Sequence, residues 1–156
     1  PSDRAVVGAA LRKSQQTGGP AVAIELPDGT IVAGKQNKLL SATSGAVLNA
    51  LKAMGDVADP YQLLAPKILE PIMALNKNVL KIKKATLSLE ETLITLSIAA
   101  SVDFNSLRAF NTLPKLRGCQ VHSSHLLQNG DLNFLRKLGV NVTMEPKYYS
   151  DALYLE

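Results

Sequence analysis

The spacing of hydrophobic and polar positions changes several times along this chain, and each change marks an element. The opening stretch "RAVVGAALRKSQQ" predicts a first helix, with Asp3 placed as its N-cap and Gly18, Gly19 and Pro20 ending it. Two short apolar, β-rich runs, residues 21–26 and 30–35, then flank Pro27-Asp28-Gly29. Proline presets φ, aspartate bonds back to the backbone and glycine accepts positive φ, so this segment predicts a tight hairpin. In "SATSGAVLNALKAMG" the residues Val47, Leu48, Leu51 and Met54 recur at helical spacing. Ser41, Thr43 or Ser44 caps that helix and Gly55 stops it.

Asp59-Pro60 reads as the start of a further helical stretch to about Leu75, which Pro66 and Pro71 must break or kink. A capping box, Ser88 to Glu91, opens the strongest helix of the second half, "LEETLITLSIAAS". A short helix over Asn105 to Leu113 stops near Pro114. "CQVHSSHLL" then predicts a strand, Asp131 a cap for the helix "LNFLRKLG", and "VNVTME" a last strand. Strand, helix and strand over residues 119–144 resemble a right-handed βαβ unit with parallel strands. The tyrosine-rich tail "EPKYYSDALYLE" is expected to pack on something. The sum is one α/β domain over residues 1–156: a mixed sheet with an N-terminal β-hairpin and helices on its faces.

Composition narrows the class. The chain has 156 residues, 46% hydrophobic and 19% charged, as an ordinary globular domain does. No apolar run approaches the roughly 18 residues of a membrane span, so no membrane partner is expected. The N-terminus lacks the features of a secretory signal and has no initiator methionine, which points to a fragment or a processed product. A single cysteine cannot form an internal disulfide, so a reducing cytoplasm is the simplest compartment. The net charge of +4 invites a nucleic-acid reading, but the basic residues are dispersed. The densest cluster, Lys77, Lys81, Lys83 and Lys84, has little aromatic company, which favours a solvated linker over a phosphate-binding arm.

Candidate chemistry sits in three places. "GTIVAGKQ", residues 29–36, misses the phosphate-loop pattern only at Gln36. Its middle is β-branched and apolar, however, so its amides belong to a hairpin ladder. Lys35 and the helix start from Ser41 to Gly45 are better placed, because free N–H groups at a helix N-terminus suit a phosphate or carboxylate. Lys35, Ser41, Thr43 and Ser44 are therefore candidate ligand residues, against the alternative of ordinary capping.

"RGCQVHSSHLLQNG" holds the only cysteine, Cys119, and the only histidines, His122 and His125. In a regular strand over residues 119–127, His122 and His125 face opposite sides, and Cys119 lies about 20 Å from His125. No shared metal site follows, no second cysteine serves a zinc site, and no metal or cofactor is expected. His122 and His125 at a strand end remain candidates for binding an anion or shuttling a proton. Cys119 reads as a small buried hydrophobe. No carboxylate pair suggests acid/base work, and the sequence leaves open whether the domain is an enzyme.

The stretches "AVAIELPDGTIVAGK", "SATSGAVLNALK", "ILEPI", "LSLEETLITLSIAAS", "LPKLRGCQVHSS" and "RKLGVNVTMEPKY" resemble, in order and spacing, an uncharacterised bacterial family. It is the domain of unknown function eighteen-forty-six family, and the likeness is to its C-terminal part over nearly the whole chain. The resemblance implies a larger N-terminal partner in the same polypeptide and brings no reaction. In that family threonine often follows Gly-Lys; Gln36 departs from it. A looser, topological similarity is to cytidine-deaminase-like folds. Their zinc chemistry needs His or Cys with Glu at the helix after the hairpin and a later Pro-Cys-x-x-Cys. Ser-Ala-Thr-Ser-Gly stands at the first place and no Cys-x-x-Cys exists, so zinc deamination is excluded.

Two functions are consistent with these residues, and nucleic-acid binding by Lys77 to Lys84 is a less favoured third. The first is a structural domain that packs on the remainder of its own longer chain and supports homo-oligomerisation. The second is binding or catalysis on a phosphate- or carboxylate-bearing small metabolite at the helix start after the hairpin.

Overall fold

A computed structural model of the chain describes residues 5–37, 40–58, 63–64, 66–81 and 86–148. Helix α1 (Ala5–Thr17) precedes the hairpin of β1 (Ala21–Glu25) and β2 (Ile31–Lys35), and α2 (Ala42–Met54) follows. Next come α3 (Pro66–Ala74), continuous with a π-helical turn Leu75–Val79, then α4 (Leu89–Ala99) and α5 (Phe104–Phe110). A 3-10 turn Leu113–Leu116 leads to β3 (Gln120–Ser123), α6 (Asn129–Leu138) and β4 (Asn141–Met144). The protein is thus α/β, with a mixed four-stranded sheet in the order β2-β1-β3-β4. Strand β1 runs antiparallel to both neighbours, and β3 and β4 are parallel, so β2, β3 and β4 all point the same way.

The hairpin closes as its chemistry dictates. Leu26 N–H donates to Thr30 O at 2.7 Å, Gly29 takes φ of 90°, and Asp28 Oδ1 accepts the Thr30 N–H at 2.9 Å. That bond holds the Asp28 carboxyl below its ordinary pKa.

Alternation along the strands divides the sheet into two faces. Val22, Ile24 and Val121 face the main core with Val47 and Leu51 of α2, Leu93 and Leu96 of α4 and Leu135 of α6. Each large aliphatic side chain taken fully from water there contributes about 1.5–3 kcal/mol. Ala23 lies on the other face against Val6 and Ala10 of α1, a thin second core whose small side chains bring α1 close to the sheet.

Three boundaries differ from the sequence pattern. The strand expected over 119–127 is regular only over Gln120–Ser123. Ser123 Oγ donates to His125 O at 2.7 Å and accepts the His125 N–H at 3.3 Å, which draws the chain out of the ladder. Alternation therefore fixes the direction of His122 and does not extend to His125. Helix α5 spans Phe104–Phe110 and not 105–113, Asp103 Oδ2 capping it by accepting Ser106 N–H at 2.8 Å, and Pro114 lies within the 3-10 turn beyond. Pro71 lies inside α3 and does not end it, and Pro66 occupies the first helical position, where no N–H is needed. Asp3, Asp59-Pro60, Lys83, Lys84 and the tail from Tyr149 fall outside the described residues.

Strand β2 and helix α2 touch backbone to backbone. A Cβ on Gly34 would lie 2.2 Å from Ala46 N and 2.6 Å from the Gly45 carbonyl carbon, neither of which can yield. Gly34→Ala is expected to lower stability by about 2–3 kcal/mol in urea unfolding, as overpacking does. Gly130→Ala, in open space within α6, should be neutral or slightly stabilising.

Candidate functional site

Because β2, β3 and β4 share one direction, Lys35, Ser123 and Met144 end at the same edge of the sheet, and α2 and α6 follow β2 and β3. In open α/β sheets ligands gather at that edge. The sequence-predicted residues all lie on or near it, in separate settings.

Ser41 and Ser44 meet in the interior. Ser41 caps α2, its Oγ accepting Ser44 N–H at 3.2 Å, and its backbone N–H donates to Leu87 O at 3.2 Å. The two hydroxyls are 3.0 Å apart, and Ser44 Oγ reaches Leu87 O at 3.2 Å. Ser41 Oγ also donates to Asp131 Oδ2 at 3.2 Å, and the other carboxylate oxygen, Oδ1, accepts Leu89 N–H at 2.9 Å. Leu89 is the first residue of α4 and Asp131 lies in the first turn of α6. Three helix N-termini thus converge on one buried carboxylate, which occupies the position an external anion would take. Asp131 was expected only as the cap of its own helix; α6 instead begins at Asn129, with no side-chain cap from Gln128. Thr43, beside these residues in the first turn of α2, is buried.

His122, 4% exposed, projects to the α1 face beside Ala23 and Thr143. Its Nδ1 lies 2.6 Å from Thr143 Oγ1 and its Nε2 lies 2.7 Å from Glu145 Oε2. The carboxylate requires a proton on Nε2, so in the neutral ring Nδ1 accepts the threonine hydroxyl proton. This Thr143–His122–Glu145 chain was not legible from spacing, since its members lie on β3, on β4 and just past the end of β4. His125 Nδ1 is 2.7 Å from Ser124 Oγ, which accepts the Ala21 N–H at 2.9 Å. Burial lowers the His125 pKa below its ordinary value, and Lys147 adds to the effect. Lys35 is exposed at the sheet border and lines a groove with Gly45.

The amides of "GTIVAGKQ" lie in the hairpin, with Gln36 N–H donating to Pro20 O at 3.3 Å. Cys119 is buried, and burial, then the Glu25 carboxylate, raises its thiol pKa, so it stays protonated near neutral pH. Among the described residues no three His, Cys, Asp or Glu side chains form a metal-holding group, and no helix is long and apolar enough to cross a membrane.

The family model described as "Domain of unknown function DUF1846, C-terminal" matches residues 2–154. The chain belongs to this family. Relatives called UPF0371 proteins, from Streptococcus pneumoniae serotype 19F (strain G54) and from strain Hungary19A-6, are each 42% identical over 154 residues. Those alignments cover 99% of this chain but 31% of each relative, so the chain spans under a third of their length.

Two outcomes follow from this geometry. Asp131→Ala leaves the Leu89 N–H and the Ser41 hydroxyl without their acceptor and should cost about 3 kcal/mol, read as a fall in the urea midpoint. His125 is harder to protonate folded than unfolded. Stability should therefore fall as pH drops below the unfolded value near 6.5 and level off below the folded pKa. His125→Gln should flatten that part of the stability–pH curve in thermal melts.

Proposed function

We propose that this domain is an assembly unit: it packs on the remainder of its own longer polypeptide, supports homo-oligomerisation and works in the cytoplasm. The observation that carries this reading is the outer surface of α4 and α5. Leu89, Leu93 and Leu96 of α4 point into the core, yet Ile94 and Ile98 on the same helix are 54% and 66% exposed. Val102 at 88%, Phe104 at 70% and Leu107 at 39% continue the apolar series into α5.

A helix with large apolar side chains on its outer as well as its core side is suited to a second contact, and soluble monomers rarely leave such a series in water. The face therefore calls for a cover. The relatives supply a natural one, since more than two thirds of their length lies outside the matched region. Membership in a family defined by its C-terminal position in a longer chain supports the same reading.

The test uses the full-length parent polypeptide with cysteine placed at Ile98 or, as control, at exposed Lys137 of α6. Alkylation at Ile98→Cys is expected to be slower than at Lys137→Cys by at least about tenfold, as befits a residue removed from water. Protection that survives dilution identifies the same polypeptide as the cover, and protection lost on dilution identifies a second copy. Equal rates at the two positions would contradict the proposal.

A further inference from the structure

The outer border of β2 carries a groove of about 320 Å³. That is the lower range of small-molecule sites, roughly 300–1,000 Å³. Strand β2 is the edge of the sheet, so helices from both faces reach past it. Lys13 comes from α1 on one face, Lys52 from the last turn of α2 on the other, and Lys35 from the end of β2 between them. The floor is apolar, with Leu48 of α2, Leu69 of α3 and, outside the helices, Leu63 and Leu64. Every charged side chain among the described lining residues is a cation.

We propose that this groove binds a small amphipathic anion: a carboxylate or phosphomonoester head held by Lys13, Lys35 and Lys52, with an apolar body on the leucine floor. The close approach of Gly34 to Ala46 locks β2 against α2, so the strand bearing Lys35 is held firmly against the helix bearing Lys52. A peptide strand adding to the β2 edge is disfavoured. Asn49 Nδ2 already donates to Ala33 O at 2.9 Å, occupying a carbonyl that such a strand would need. The helix start expected to hold an anion has its serine hydroxyls occupied, Ser41 Oγ by Asp131 and Ser44 Oγ by the Leu87 carbonyl, so the head group is read by the lysines and not by α2. Lysine contacts at a surface are screened, so the affinity falls as salt rises.

Isothermal titration of the full-length parent chain tests this with phenyl phosphate and octanoate as probes, and inorganic phosphate and benzyl alcohol as controls. Saturable binding of either anionic probe is expected, with each control weaker by at least about tenfold. Their order of affinity tells a phosphate head from a carboxylate one. The Lys35→Gln/Lys52→Gln double variant should weaken the probes by at least about tenfold while the melting temperature stays unchanged. No saturable binding of either probe overturns the proposal, as does a neutral alcohol or bare phosphate binding equally well. Binding unchanged in the double variant also overturns it. If that variant then self-associates, the lysines guard the sheet edge against strand pairing.

Discussion

The arrangement of this domain depends on the carboxylate of Asp131. A helix N-terminus presents backbone N–H groups with nothing above them to accept, and in an interior that cost must be met by an acceptor. Here α2, α4 and α6 all begin at one point. One side chain links them, accepting from the Ser41 hydroxyl that caps α2 and from the Leu89 N–H at the start of α4, while standing itself in the first turn of α6. Burying a charge unpaired is expensive, so the same contacts that satisfy the helices make the buried carboxylate tolerable. Because the helices are joined through one residue, they also fix how α4 sits against the sheet, and with it which face of α4 is left outward.

The two ends of the sheet are treated differently. The core face is aliphatic and dense, and the opposite face is closed by α1 through alanines. At the β2 border the chain places glycine against helix backbone, an asparagine across an open carbonyl and three lysines around a leucine floor. At β4, Thr143 and Glu145 tie the outer strand to His122 of β3. Polar bonding thus gathers at the carboxyl edge, whereas exposed large apolar side chains stand on α4 and α5 and, as Leu75, Val79 and Leu80, around the π-helical turn.

Local signals read well from the sequence because their causes are local. Pro27-Asp28-Gly29 made its turn, Ser88 and Glu91 made their reciprocal cap, and Ser41 capped α2. The parallel pairing of β3 and β4 followed from the strand–helix–strand order. What sequence could not show depends on residues far apart in the chain. Asp131 looked like the cap of its own helix because its acceptors' partners lie 42 and 90 positions away. The short β3 escaped notice because Ser123 competes with the ladder, a choice that composition does not reveal. Lys35 was visible as a candidate cation, but Lys13 and Lys52 join it only once α1 and α2 flank the edge strand. The outward Ile94 and Ile98 were submerged in a helix that looked simply apolar.

As an assembly unit, the proposed domain keeps its α4–α5 face as an internal surface of a larger assembly. Hydroxyl-radical footprinting of the intact full-length parent chain, read at Ile94, Ile98 and Phe104, tests it most directly. Oxidation at these side chains should be suppressed to a small fraction of their rate in the unfolded chain. Oxidation at rates matching the exposure they have in this isolated domain would contradict it.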